Sequence, residues 1–242
     1  MKRIIGRKPV LEAVKAGEAI SKIYLLYGQK GDIIDEIRIT ARKKGIAINE
    51  ISADKFANLG GDKTNQGIIA LISELQTYSV DQLISSAKNS EKPLILLLDT
   101  IQDTHNLGAI LRTAECAKTD GVIITRHNSA PVNDTVYKTS AGAVNHLKIA
   151  FANNLVNAID QLKREGFWII GSSLQNSVEY TKIDYNVPAA LIVGNEEKGI
   201  RRLTADKCDY LVRIPMKGQI QSLNVSVAAG ILLFEVLRQR GF

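Results

Sequence analysis

Apolar runs short enough to be strands alternate along this chain with stretches of helical period, in two successive sets. In the first set SKIYLLYG (21–28), IAINEI (46–51) and GIIALI (67–72) read as strands. Between the first two, GDIIDEIRITARKKG (31–45) repeats apolar residues every three to four positions and ends on a basic turn and Gly45, as an amphipathic helix does. The pattern predicts a small α/β domain over residues 1–75. It then lapses. QTYSVDQLISSAKNSEKP is polar, serine-rich and closed by Pro93, which predicts a linker over 76–92 with room for one helical turn.

The second set, over 93–242, is more strongly marked. LILLLD (94–99) is almost continuously apolar, as suits a strand buried on both faces of a parallel sheet. GVIIT (121–125), FWIIGS (167–172), AALIVG (189–194) and YLVRIP (210–215) read as further strands, with helices at NLGAILRTAECAKTD (106–120) and NNLVNAIDQLKREG (153–166). A last apolar helix opens at QSLNVSVAAGI (221–231). The layout is α/β with helices on both sides of the sheet. The last helix raises a question, because its opening holds Ser222 and Asn224 and its body holds the small residues Ser226, Ala228, Ala229 and Gly230. A helix that only filled a core would carry larger side chains and no polar pair.

Open α/β sheets bind ligands beyond the carboxyl ends of their strands. Three such ends carry unusual residues: Asn106 and Arg112 after LILLLD, Gly194, Glu196 and Gly199 after AALIV, and Gly218, Ser222 and Asn224 after YLVRIP. Together they suggest one composite pocket. GNEEKGIR has the glycine spacing of a phosphate loop, but Ile200-Arg201 replaces the Lys-Ser/Thr pair that reaches phosphate and magnesium. No G-x-G-x-x-G follows the first strand of either half, and His105, His127 and His146 have no metal-ligand spacing. No Ser–His–Asp triad can be assembled on an elbow motif. Hydrolytic, redox and metal chemistries are therefore disfavoured.

Charge sharpens the picture. The formal net charge is +6, and residues 1–75 hold 13 Lys/Arg against 9 Asp/Glu, with clusters at Lys2-Arg3, Arg7-Lys8 and Arg42-Lys43-Lys44. Such clustering favours a polyanionic partner, because neutralising phosphates releases counterions; a solvated lysine-rich surface is the plain alternative. Cys116 and Cys208 are far apart and show no C-x-x-C spacing, so no disulfide framework or zinc site is expected. No apolar run reaches a membrane span and no secretory signal is read, so a reducing cytoplasm is the expected compartment.

The three turns also carry a resemblance. DTHNLGAILRTAECAKTDGVII (103–124), LIVGNEEKGIRRL (191–203) and IPMKGQIQSLNVSVAAGILLFEVLRQR (214–240) resemble, in order, the three motifs of the SpoU family of RNA ribose methyltransferases. IIGRKPVLEAV (4–14) resembles the start of that family's substrate-binding domain, which is related to a ribosomal-protein RNA-binding fold. The chain departs at Thr104, where relatives often have proline, at Glu197, where glycine is frequent, and at Asn145, which replaces a common acidic residue. The resemblance implies a trefoil-knotted SPOUT α/β domain at 93–242, S-adenosylmethionine as cofactor, no metal, and a homodimer with sites near its interface. The implied reaction is methyl transfer to the ribose 2′-hydroxyl of a guanosine in large-subunit ribosomal RNA. Alternatives are a transfer RNA ribose methyltransferase, whose simplest members lack the first domain, and a ribosomal RNA resistance methyltransferase. A non-catalytic RNA-binding assembly factor is the alternative from another class, though it has no need of the whole polar set.

By the same resemblance Arg112 is the catalytic residue. Glu196 orients it or the site around it, while Asn106, Ser222 and Asn224 supply neutral hydrogen bonds to RNA or to that arginine. Gly194, Ile214, Met216 and Leu223 border the cofactor, with backbone groups of Ile214 and Leu223 reading its adenine. Arg201, Arg202 and the basic first domain, including Arg7 and Lys8, hold the RNA backbone. A guanidinium with a pKa above about 12 makes a poor proton acceptor. The expected role of Arg112 is therefore to grip the target phosphate and ease ionisation of the hydroxyl. On residues alone, an ion pair with Glu115 is the plain alternative. Ser222 is expected to cap the last helix.

Overall fold

The structure is a computed structural model that describes residues 3–18, 20–59, 65–72, 75–220 and 222–241; Lys2 and Gln221 lie outside the described residues. It divides into two compact units, residues 1–75 with 131–136, and residues 76–130 with 137–242.

In the first unit strands β1 (Arg3–Ile5), β2 (Ile20–Leu26), β3 (Ile48–Ile51) and β4 (Ile68–Ile72) form a sheet in the order β1-β4-β2-β3. Only the β2–β3 pairing is parallel. Alternation along β4 divides its side chains between two faces. Ile68 and Ala70 join the core beneath helices α1 (Arg7–Ala16) and α2 (Asp32–Lys43), whereas Ile69 and Leu71 pack with Phe56 of α3 (Ala53–Asn58). The segment 131–136 belongs here through its polar side chains. Asn133 Nδ2 donates to the Gly45 carbonyl at 2.9 Å, and Lys22 pairs with Asp134 at 2.8 Å.

The second unit is built on eight strands in the order β10-β12-β9-β11-β6-β7-β8-β5, every pairing parallel. These are β5 (Thr77–Tyr78), β6 (Leu94–Asp99), β7 (Gly121–Thr125), β8 (Ile149–Ala152), β9 (Trp168–Ser172), β10 (Val178–Glu179), β11 (Ala189–Gly194) and β12 (Tyr210–Arg213). All six residues of β6 are buried, as the unbroken apolar run requires of a central parallel strand. Ile95 and Leu97 face one side, against Leu83 of α4 (Val80–Ala87) and Ile159 of α7 (Leu155–Arg164). On the other side α5 (Thr104–Cys116) packs on α9 (Val225–Gln239), and α9 packs on β11. The short helix α8 (Arg202–Ala205) also belongs to this unit, and α6 (Asp134–Thr139) begins in the first unit and ends in this one.

Residues 76–93 differ from the expected linker. They hold β5, which joins the edge of the large sheet beside β8, and α4, an eight-residue helix opened by a reciprocal capping box between Ser79 and Gln82. The serines and the glutamine that suggested a loop are cap and surface residues of a helix whose Leu83, Ile84 and Ala87 are buried. The last helix is also corrected: it begins at Val225, with Asn224 as its N-cap, so Ser222 lies before the helix and does not cap it. Arg240 anchors its far end, donating to the carbonyls of Tyr185 (3.0 Å), Lys92 (2.5 Å) and Val187 (2.8 Å).

Cys208 packs against the α4–α7 core, and its thiol donates to the Thr204 carbonyl at 3.4 Å. Burial, with Asp209 nearby, pushes this thiol up to about 12. At pH 8 only roughly one molecule in ten thousand then carries the thiolate, the form that reacts. Thiol titration at pH 8 should leave Cys208 unmodified in the folded protein and label it promptly in denaturant; prompt labelling of the native protein would contradict this packing.

Candidate functional site

Pairing of β6 with β11 sets Asp99 opposite Gly194 at the carboxyl ends of the two central strands. Two connections leave from there. One follows β6 through the Thr100 turn into α5, whose N-cap Asp103 accepts from the Asn106 amide at 2.7 Å. The other follows β11 into the loop 195–201. That loop closes on itself through two backbone hydrogen bonds of 2.9 Å between Asn195 and Gly199. The Asn195 side chain caps the turn from inside, accepting from the amides of Glu197 and Lys198, both at 3.1 Å. A Cβ added at Gly194 would lie 2.2 Å from backbone atoms of Gly199 and Ile200. The glycine is thus demanded by the loop folding back on its own stem.

The third connection, after β12, brings Asn224 to the same place. Its side-chain oxygen accepts from the Ser226 amide at 2.9 Å and starts α9. Its amide nitrogen donates to Asn106 Oδ1 at 2.9 Å, and Asn106 Nδ2 donates to Glu196 Oε1 at 3.2 Å. Glu196 Oε2 accepts from Asn195 Nδ2 at 3.2 Å, and Asn195 Nδ2 also reaches the Thr100 carbonyl at 3.1 Å. A continuous chain of hydrogen bonds therefore runs Asn224–Asn106–Glu196–Asn195. Three residues far apart in sequence are fixed relative to one another, as the expectation of one composite pocket requires.

Beside this chain a cleft opens at the carboxyl ends of β9, β11 and β12. Ile214, Met216, Leu223 and Val225 give it an apolar lining, Gly194 forms part of its wall, and Glu196, Glu197 and Ser222 border it. Ser172, Leu174 and Arg213 also line it, and sequence reasoning did not single them out. For Arg213 a signal existed, a lone charge inside the apolar strand YLVRIP; Arg213 donates to the Ser177 carbonyl.

Other expected residues stand elsewhere. Arg112 is exposed and does not line the cleft, and among the described residues its side chain makes no hydrogen bond or ion pair, with Glu115 or any other group. Six helical positions separate it from Asn106, a turn of roughly 240° about the axis, so the two side chains leave α5 in different directions. Arg7 is not free for a ligand: its guanidinium stitches two loops of the first unit, to Gln29 Oε1 (2.5 Å) and the carbonyls of Lys30 (3.4 Å) and Gln66 (3.2 Å). Arg201 is committed through Nε to the fully buried Asp99 at 2.7 Å, and a buried carboxylate demands such a partner. Asp99 itself was missed, although a charge that ends an apolar strand is a visible signal. Lys8 is exposed, and Arg202 is 93% exposed with only a 3.8 Å contact to Asp206. Among the described residues no group of three or more His, Cys, Asp or Glu is placed to hold a metal.

A wholly parallel α/β sheet with a cleft at its carboxyl end, walled by the last helix and by the loops after its central strands, is the architecture of a ligand-binding α/β domain. The pattern of the SpoU rRNA Methylase family matches residues 93–234, and that of RNA 2′-O ribose methyltransferase substrate binding matches residues 3–78. The chain belongs to the SpoU family. It is 38% identical over 238 residues to a protein of Staphylococcus haemolyticus named in the TrmH family of tRNA/rRNA methyltransferases, covering 98% of this chain and 95% of that protein. Among solved structures it is similar to the AdoMet-bound rRNA methyltransferase of Sinorhizobium meliloti, with a TM-score of 0.64, 26% identity, and coverage of 98% of this chain and 86% of that one. It is also similar to the A. aeolicus TrmH/SpoU tRNA modifying enzyme, with a TM-score of 0.58 and 32% identity over 66% of this chain and 82% of that one.

The geometry separates two roles of Asn224. Asn224→Ala removes both the cap and the bridge to Asn106 and should lower stability by about 1 kcal/mol. Asn224→Asp keeps the cap acceptor but not the bridging donor, and should unfold within about 0.5 kcal/mol of the wild type. Chemical denaturation of both variants checks this; equal losses would mean that the cap is not the stabilising element.

Proposed function

We propose that this protein transfers a methyl group from S-adenosylmethionine to the ribose 2′-hydroxyl of a guanosine in large-subunit ribosomal RNA. The observation that carries the reading is the Asn224–Asn106–Glu196 hydrogen-bond chain at the rim of an apolar cleft. The cleft suits the cofactor. Ile214, Met216 and Leu223 offer apolar contact to an adenine, and Glu196 and Glu197 place negative charge where a sulfonium would be welcome. Once bound, that group supplies an electrophilic methyl.

The chain's own residues then have distinct tasks. Asn106 and Asn224, held by each other, present a fixed edge for orienting the ribose. Glu196 accepts from Asn106 and Asn195 and keeps that edge in register with the cleft wall. Ser222, exposed at the cleft mouth, is free to hydrogen-bond substrate. Arg112 grips the phosphate of the target nucleotide and eases loss of the hydroxyl proton by its charge. Lys8 and Arg202 contact the RNA backbone, a positioning role that carries no sequence information.

Arg112 lies outside the cleft of its own chain, which supports a homodimer in which the arginine of one copy completes the site of the other. The apolar side chains Val227 and Phe234, 49% and 43% exposed and seven residues apart on one side of α9, suit such an interface. The return of α9 onto α5 and β11 suits the family's trefoil knot. Both cysteines are free, and no helix of the described residues is long and apolar enough to cross a membrane; we place the enzyme in the cytoplasm. The match of residues 3–78 to a substrate-binding module favours ribosomal RNA. The alternative, transfer RNA, is favoured by the double naming of the relatives.

Labelled S-adenosylmethionine, offered with ribosomal and transfer RNA from a strain lacking the endogenous activity, should place label on one large-subunit guanosine ribose. Label confined to transfer RNA would overturn the substrate, and label on neither would overturn the reading. Arg112→Lys should lower kcat by about a hundredfold while leaving cofactor Kd within about twofold, because a point charge cannot replace the planar fork. Near-full activity would remove the guanidinium from the mechanism.

A further inference from the structure

Asp99 is wholly buried at the end of the central strand, yet it lines no part of the cleft. Its two oxygens are both used on one short stretch of chain: Oδ1 accepts from Arg201 Nε at 2.7 Å and Oδ2 from the Arg201 backbone amide at 3.0 Å. The loop 195–201 leaves the sheet at Gly194, the register partner of Asp99, and returns at Arg201. Asp99 therefore pairs with one foot of the loop in the sheet and holds the other through its carboxylate. The next residue, Thr100, adds a second hold. It sits at φ +62°, a left-handed conformation rare for a β-branched residue, with its amide bonded to Thr125 Oγ1 at 3.0 Å, and its carbonyl accepts from Asn195 Nδ2 at 3.1 Å. Between these anchors stands Glu196, two residues past Gly194, with Oε1 on Asn106.

We propose that Asp99 is a positioning residue for the methyl transfer assigned above, and this inference rests on that assignment. By clasping Arg201, Asp99 fixes the base of the loop so that Glu196 meets Asn106 in the register the site needs. The clasp also fixes the arginine by its Nε, on a side chain that is 52% exposed. Asp99 touches neither substrate nor cofactor and acts only through this loop.

The test uses Asp99→Asn, which keeps the size of the side chain but sets an amide donor against one of the two Arg201 N–H donors. Arg201→Gln and the double variant D99N/R201Q accompany it; in the double variant two facing amides can hydrogen-bond again without buried charge. Amide exchange is measured on the protein alone, and kcat and KM for RNA are measured separately. In D99N the amides of 195–201 should exchange at least about tenfold faster, with the sheet unchanged. Its kcat should fall at least about tenfold while KM for RNA stays within about twofold, since the loss is one of geometry at the reacting end. D99N/R201Q should recover loop protection and a kcat within about threefold of the wild type. If D99N does not fold, the double variant carries the test by the same two readouts.

Wild-type exchange in the loop of D99N would overturn the proposal, as would a fall in kcat without faster exchange there. Protection lost evenly across the sheet and not rescued in the double variant would reduce Asp99 to a structural residue. A wild-type protein that transfers no methyl group would defeat the methyltransferase assignment, and the exchange data would still decide whether the clasp exists.

Discussion

The in-register pairing of β6 with β11, Leu94–Asp99 against Ala189–Gly194, is the constraint on which the rest of the site depends. Both strands are buried along their whole length, so their register is fixed by apolar packing on both faces. A shift of two residues would preserve the facing of every side chain, yet it would separate Asp99 from Gly194 and pull apart the two loops that start there. Burial thus does the selecting, and the polar groups at the strand ends record the result. Asp99 can be buried because Arg201 returns to it, and Arg201 can return because Gly194 lets the loop fold back within 2.2 Å of where a Cβ would stand.

On that foundation the active end is assembled mostly from neutral amides. Asn195, Asn106 and Asn224 each use an oxygen and a nitrogen in one network, and Glu196 is the single acceptor-only member among them. An amide can receive from one neighbour and donate to the next, so a row of them fixes several loops at little desolvation cost. Charged groups in the same places would each need a counter-charge. The arrangement leaves the positive charge for binding RNA to residues outside the network, Lys8, Arg112 and Arg202 in our reading.

Much of this was legible in the chain. The long buried strands announced themselves by composition, and so did the helices with a clear apolar stripe, because burial and periodicity are local signals. Helix α1 and strand β8 were not read from the pattern, and the rest of what escaped was short or polar. Strands β5 and β10 have two residues each, too few for any period to show, and α4 was hidden by the serines and glutamine that cap it and coat its surface. Within the site, Asn106, Glu196 and Asn224 were singled out and are joined by hydrogen bonds. Ser222 was misread as a cap because the helix was started at Gln221, and Arg7 and Arg201 were read as free cations. Whether an arginine faces solvent or a buried acceptor depends on residues at least 20 positions away, Gln29 and Gln66 for one and Asp99 for the other, so no local pattern could reveal it.

The central claim is that the cleft beside the three joined turns is where the cofactor sits and the methyl group departs. A crystal structure of the protein with S-adenosylhomocysteine tests it most directly. The account predicts an adenine against Ile214, Met216 and Leu223, with the sulfur end directed toward Glu196 and Asn106. Density for the ligand at any other place on the protein, or in this cleft with the sulfur turned away from those residues, would contradict it.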